Sequence, residues 1–154
     1  MKKLLHAEVF LLTTNEKIMV PIEISYEDRY VITNPKSEIT LLYNGIKYKG
    51  NGIDALWTDT FADLQMKLPV DVKLACCMTC RHGNMCPYGN KENELFCTKD
   101  LRISSKDDMC DLFYQTDPYE ERAVTSLGYC DDFIYQSDNY YTYNDYLYQL
   151  SKKK

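Results

Sequence analysis

The stretch Thr40-Leu41-Leu42-Tyr43-Asn44-Gly45-Ile46-Lys47-Tyr48-Lys49 decides the fold class of the first half of the chain. Two short runs of apolar and β-favouring residues flank an Asn-Gly pair. Both of those residues accept positive φ, as a two-residue type I′ turn requires, so the segment predicts a β-hairpin. Upstream, Ala7, Val9 and Leu11 alternate with Glu8, Phe10 and Leu12, which predicts a half-buried strand with a rather apolar second face. Thr14-Asn15-Glu16 reads as a turn and Ile18–Ser25 as a second strand, with Pro21 acceptable only at an edge or bulge. Arg29–Thr33 reads as a third strand, closed by the turn-forming Asn34-Pro35-Lys36-Ser37.

Downstream, Gly50-Asn51-Gly52 is expected to break the sheet. A helix then spans Asp54 to Lys67. Trp57, Phe61, Leu64 and Leu68 fall on one face, Asp54 stands at the cap position, and Pro69 follows the end. That aromatic stripe is core material. Val70–Ala75 reads as a short strand leading into cysteines. Ser105-Lys106-Asp107-Asp108 resembles a capping box opening a helix with Met109, Leu112 and Phe113 inward. Ala123–Phe133 reads as extended, and the tyrosine-rich end admits a short helix from Asn144. The class is α+β: an N-terminal antiparallel β-sheet with one packed helix and a four-cysteine zinc site. We expect a single domain over 1–154, β-rich over 1–53, with the helix, the cysteines and an acidic tail over 54–154.

Composition bounds the function. With 154 residues, 45% hydrophobic and 27% charged, the chain is neither disordered throughout, nor collagen-like, nor a coiled coil. No run approaches the roughly 18 apolar residues of a membrane span. The opening Met1-Lys2-Lys3-Leu4-Leu5 is interrupted by His6 and Glu8 and has no small-residue cleavage site, so a cytoplasmic protein is expected. Ten acids and one base in residues 107–150 give that segment a charge of −9, and the chain ends on Lys152-Lys153-Lys154. Such an acidic third argues against non-specific nucleic-acid binding, which needs cations to neutralise phosphates. Nine of the fourteen tyrosines lie in the same segment. Acids interleaved with tyrosines suit a basic protein partner, since tyrosine supplies contact area at little entropic cost.

Seven cysteines, an odd number, point in a reducing compartment to metal ligands or core thiols rather than disulfides. Cys77-Met78-Thr79-Cys80 has the two-residue spacing that lets one tight turn aim two sulfurs at one ion, the half-site of tetrahedral zinc. Spacing alone nominates Cys77, Cys80, Cys86 and Cys97. Cys76 continues an apolar strand, and Cys110 lies between Met109 and Leu112; both read as small packing residues. A Cys-x2-Cys pair also occurs in thiol redox proteins, and Cys77-x2-Cys80-x5-Cys86 has some likeness to iron–sulfur spacings. No His-x-Glu followed by Pro-Cys-x2-Cys and no His-Glu-x2-His motif occurs, and there is no Gly-x-Ser-x-Gly or phosphate-binding loop. The expectation is therefore a non-catalytic protein.

The run Cys76-Cys77-x2-Cys80, Pro87-Tyr88-Gly89, Cys97, Lys106 and Tyr129-Cys130-Asp131-Asp132-Phe133 resembles an uncharacterised bacterial family of small proteins of unknown function. Its pattern is a Cys-Cys-x2-Cys knuckle running into a Ser-Pro-Tyr-Gly loop, one later cysteine, and another in a Cys-Pro-Glu-Phe-like segment. The likeness covers about residues 54–135. It implies that Cys77, Cys80, Cys97 and Cys130 form the four-cysteine site, with Cys86 standing where serine is usual and Cys110 where a bulky apolar residue is usual. The family brings no known activity. The function expected is that of a structural zinc-binding protein acting as a protein-interaction module. The alternative is an immunity- or antitoxin-like binder of a basic partner through the acidic, tyrosine-rich end, with an iron–sulfur or thiol redox protein behind it.

Overall fold

The structure is a computed structural model that describes residues 2–53 and 56–154. Its elements are β1 (Lys2–Leu12), β2 (Lys17–Glu27), β3 (Ser37–Tyr43), β4 (Ile46–Gly52), α1 (Thr58–Lys67), β5 (Lys73–Ala75), β6 (Gly83–Asn84), β7 (Leu95–Cys97), α2 (Lys106–Gln115), α3 (Pro118–Glu121), β8 (Ala123–Val124) and α4 (Tyr146–Lys152). The first five strands form an antiparallel sheet in the order β4-β3-β2-β1-β5, and β6-β7-β8 form a smaller one. The class is α+β. Among the described residues no helix is long and apolar enough to cross a membrane.

The hairpin is the one its sequence predicts: Asn44 and Gly45 sit at φ 50 and 77 between β3 and β4. Alternation gives the large sheet one buried face. Val9 and Leu11 pair across to Val20 and Ile18, Ile22 and Ile24 to Leu41 and Ile39, and Leu11 to Leu74 on the other side.

Three expectations are corrected. Arg29–Thr33 is a turn, not a strand. The Asp28 carboxylate accepts the Tyr30 N–H at 2.9 Å and the Asp28 carbonyl accepts the Ile32 N–H at 2.9 Å, which curls the backbone and leaves Tyr30 and Val31 exposed. Pro21 lies on an interior strand, opposite Glu8. The β2–β3 ladder begins only at Ile22, however, so Pro21 has a strand partner on one side and its missing N–H disrupts no ladder there. Gly50-Asn51-Gly52 does not break the sheet but completes β4. A Cβ on Gly50 would stand 2.7 Å from the Leu64 Cβ, the Leu64 nitrogen and the Thr60 carbonyl oxygen, and one on Gly52 would meet Thr60 as closely. The two glycines make the groove in which α1 lies.

Helix α1 begins at Thr58, after Trp57, which takes a left-handed φ of 70 and is buried against the edge of Tyr26 at 5.1 Å. The expected cap, Asp54, lies outside the described residues. Phe61, Leu64 and the following Leu68 are buried as the stripe predicts. A second helix, α4, packs in turn on α1, held by Lys153 to Asp59 at 2.7 Å. Gln65 of α1 clamps β5: its amide donates to the Val72 carbonyl and its oxygen accepts the Leu74 N–H, both at 2.8 Å. This fixes the strand that delivers the cysteines. In the smaller sheet, Phe96 of β7 packs edge-on against Phe113 of α2 and Tyr119 of α3, at 4.8 and 5.0 Å.

Candidate metal centre

Strand β5 runs into Cys76, fully buried, whose thiol pKa burial pushes up to about 11. The chain then makes a 3₁₀ turn over Cys77–Thr79. The Thr79 hydroxyl donates to the Leu74 carbonyl at 2.9 Å and accepts the Cys76 N–H at 3.2 Å, so the turn is locked to the end of β5. Cys80 N–H and Gly83 N–H continue it, donating to the Cys77 and Cys80 carbonyls. The His82 N–H points at the Cys80 sulfur, 3.5 Å away. A side chain at Gly83 would collide with the Cys77 carbonyl, so glycine alone permits this approach. Gly83 in turn pairs with Cys97 across the β6–β7 ladder, which brings a third cysteine beside the turn. Arg122 fixes that strand end, donating to the Cys97 carbonyl at 3.1 Å while gripping Asp100 at 2.6 and 3.0 Å. The guanidinium holds the Asp100 carboxyl down at about 2.

The fourth cysteine arrives on a loop. Ala123–Phe133, expected to be extended, is a strand only at Ala123–Val124 because its later backbone groups bond the cysteine turn instead of another strand. Met78 and Cys77 N–H groups donate to the Ser126 and Gly128 carbonyls, and Arg81 N–H donates to Ile134 at 2.8 Å. The Gln136 N–H returns to the Thr79 carbonyl at 3.1 Å. Asn144 adds a hub: its amide donates to the Gly83 carbonyl at 2.6 Å and the Met78 carbonyl at 3.2 Å, and its oxygen accepts from Gln136 and from the Tyr146 N–H. Tyr129 lies against Phe10 on the outer face of β1, with the Lys17 ammonium over both rings.

The result is a cavity of about 20 Å³, lined by Cys77, Cys80, Cys97 and Cys130 together with His82, Lys99 and Phe133. Cys80 is buried, Cys77 and Cys97 are half-buried and Cys130 is exposed. Burial, and then the neighbouring thiols of Cys76, Cys80, Cys97 and Cys130, push the Cys77 thiol up to about 12. Burial raises Cys80 as well, against backbone N–H groups of Ile134 and His82 that favour its thiolate. The four thiols border one space without closing on a point: among the described residues no group of three or more His, Cys, Asp or Glu side chains is arranged to hold a metal ion as it stands. Cys77, Cys97 and Cys130 also border a larger cleft of about 590 Å³ that includes Lys99, Asp100 and Arg122.

The remaining cysteines lie elsewhere. Cys86 is buried inside a loop closed by Asn90, which accepts its N–H and donates to its carbonyl, and the Tyr119 hydroxyl meets its sulfur at 3.5 Å. Cys110 sits half-buried on α2 with its thiol towards the Tyr88 hydroxyl. Sequence reasoning missed Asn144 and Gln136, which fasten the loop. Lone polar residues in a tyrosine-rich tail give no signal of such contacts. Comparison with protein families, with curated proteins and with solved structures finds no match.

Proposed function

We propose that the chain is a structural zinc-binding protein in which Cys77, Cys80, Cys97 and Cys130 hold one ion and the loop 126–136 is clipped to the cysteine turn. The observation that carries this reading is the shared cavity: cysteines from three separate stretches, the 77–80 turn, β7 and the later loop, border a space sized for a single small ion. Four sulfurs with no competing carboxylate suit zinc in a closed, structural site. Bound zinc would supply a cross-link and stabilise the thiolates. Iron–sulfur ligation through Cys86 has less support, since Cys86 does not line that cavity.

The module's partner in this reading is a basic protein. Asp107, Asp111, Asp117, Glu120 and Glu121 are exposed along α2 and α3, with Tyr114 87% exposed among them, and Asp131 projects from the cysteine loop. Like-signed charge around an exposed aromatic suits electrostatic capture of a cationic surface.

Elemental analysis of protein purified under reducing conditions tests the metal. Zinc should be present at one equivalent, fall in Cys130→Ser and persist in Cys86→Ser; the reverse pattern would move the fourth ligand to Cys86, and visible charge-transfer bands would mean iron. For the partner, reversing Asp111, Asp117, Glu120 and Asp131 to Lys should abolish stoichiometric capture from native lysate. Undiminished capture refutes the acidic-surface reading.

A further inference from the structure

A second cavity, of about 740 Å³, shares no residue with the cysteine set. It lies between the β2–β3 turn and two segments, 85–90 and 142–145. Those segments are tied to each other: Met85 N–H donates to the Tyr143 carbonyl at 2.8 Å, and Tyr143 N–H to the Asn84 side chain at 2.6 Å. Asn90 closes the 86–90 loop from inside. Two of the three walls are thus held to each other before any ligand arrives, and the volume is that of small-molecule sites. Much of the lining is apolar: Ile32, Pro35, Leu56, Met85, Pro87 and Tyr143.

The polar side chains in the cavity divide into two sets. Asn90, Thr142 and Asn144 are occupied by protein hydrogen bonds, and Asp145 accepts from Gln149. Arg29, Thr33 and Asn34 are different: among the described residues none of their side chains has a hydrogen bond or ion pair, and the Arg29 guanidinium has only the Tyr30 ring, 5.0 Å away. The groups left for a ligand are therefore rich in donors; Arg29 brings a positive charge at the β2–β3 turn, and the Asp145 carboxylate, bonded among the described residues only by the neutral Gln149 amide, lines the cavity on the 142–145 segment. A planar guanidinium without a carboxylate partner, beside an apolar hollow, matches an oxyanion carried on an apolar body.

We propose that this cavity binds a small organic carboxylate, its carboxylate on Arg29 and its apolar or aromatic body against Met85, Pro87 and Tyr143. Heteronuclear NMR titration of the full chain with sodium benzoate tests it. Benzoate should shift the amides of residues 29–34, 85–90 and 142–145 in a saturable manner, with Kd on the order of 1 mM or tighter. Benzyl alcohol, which keeps the ring and lacks the charge, should bind at least about tenfold more weakly, and so should benzoate to Arg29→Gln. Inorganic phosphate should not compete. An unshifted cavity, equal binding of benzyl alcohol, or unchanged affinity in a folded Arg29→Gln variant overturns the proposal. Competition by phosphate at equal concentration would remove the role given to the apolar body.

Discussion

Replacing Gln65 with Ala tests how the sheet delivers the cysteines. Leu74 is paired with Leu11 on one side of β5 and faces no strand on the other. On that free side its N–H goes to Gln65 and its carbonyl to Thr79, so side chains complete an edge that would otherwise be left open. Gln65 is 8% exposed and its two bonds are both 2.8 Å. Truncation leaves the Val72 carbonyl and the Leu74 N–H unpaired, at about 1–3 kcal/mol for each buried group, and removes packing. A total loss of about 3 kcal/mol is expected, a large part of the roughly 5–15 kcal/mol a domain has. Trp57 is the only tryptophan and is 1% exposed, so its fluorescence reports unfolding in urea. With a slope of about 2 kcal/mol/M, the midpoint should fall by about 1.5 M. Gln65→Glu is a sharper form of the same test. A carboxylate still accepts from Leu74 but has no proton for Val72, and burial without a donor raises its folded-state pKa. Its destabilisation should therefore be greatest near neutral pH and shrink as pH falls through that raised value. A Gln65→Ala midpoint within about 0.2 M of the parent refutes the clamp.

Gly50→Ala should cost about 1–3 kcal/mol in the same assay, because the added Cβ meets α1 backbone at 2.7 Å and helix and strand must separate. Gly45→Ala, where space is open but φ is 77, should cost only about 1 kcal/mol, from backbone strain alone. The Asp100 carboxyl should titrate near 2 by NMR and move back towards 3.8 in Arg122→Gln. Its folded pKa is depressed, so the pair's contribution is complete above about pH 4 and disappears as pH falls towards 2. Asn144→Ala removes four hydrogen bonds, two of them from the tail to the Met78 and Gly83 carbonyls, and should speed amide exchange in α4 well before the large sheet is affected.

Where a structural decision is local, the sequence carries it. Asn44-Gly45 needs nothing beyond its own backbone preferences to make a turn, and the Trp57-Phe61-Leu64-Leu68 stripe needs only a sheet to cover. Val31-Ile32-Thr33 shows the opposite case. Its β-branched residues favour a strand, but no neighbouring strand is available and the Asp28 side chain organises a turn instead. Gly50 and Gly52 were legible as glycines and misleading as breakers, since their use is the close approach of a helix that follows them in the chain. The two-residue spacing of Cys77 and Cys80 states a turn. Nothing in spacing separates Cys86 from Cys130, because that choice rests on Asn90 drawing Cys86 into its own loop and on the Ser126–Gln136 backbone wrapping the turn. The tyrosines divide in a way composition hides: Tyr129 packs on Phe10, Tyr140 lies 3.5 Å from the Arg81 guanidinium, and Tyr146 is buried, while Tyr114 and Tyr148 face solvent.

These contacts bear on what an ion would contribute. In small zinc domains the unfolded chain has no competing order, so metal affinity becomes folding energy almost entirely. Here Cys77 and Cys80 are set by Thr79 and by the turn's own hydrogen bonds, Cys97 by the ladder to Gly83, and the loop by backbone bonds from Cys77, Met78 and Arg81. None of these requires a cation. The core of the large sheet, Val9, Leu11, Ile22, Ile24, Ile39 and Leu41, runs on without a break into Cys76, Met78, Met85, Leu95 and Leu127 around the cysteine turn. Of the four thiols only Cys130 is exposed, so the freedom left for an ion to remove is mainly that of its loop. Zinc in the proposed site would thus act as a clip on an existing fold. Its stabilisation, which grows as RT ln(1 + [Zn]/Kd), should appear first as protection of the Cys130 loop rather than as a gain in sheet structure.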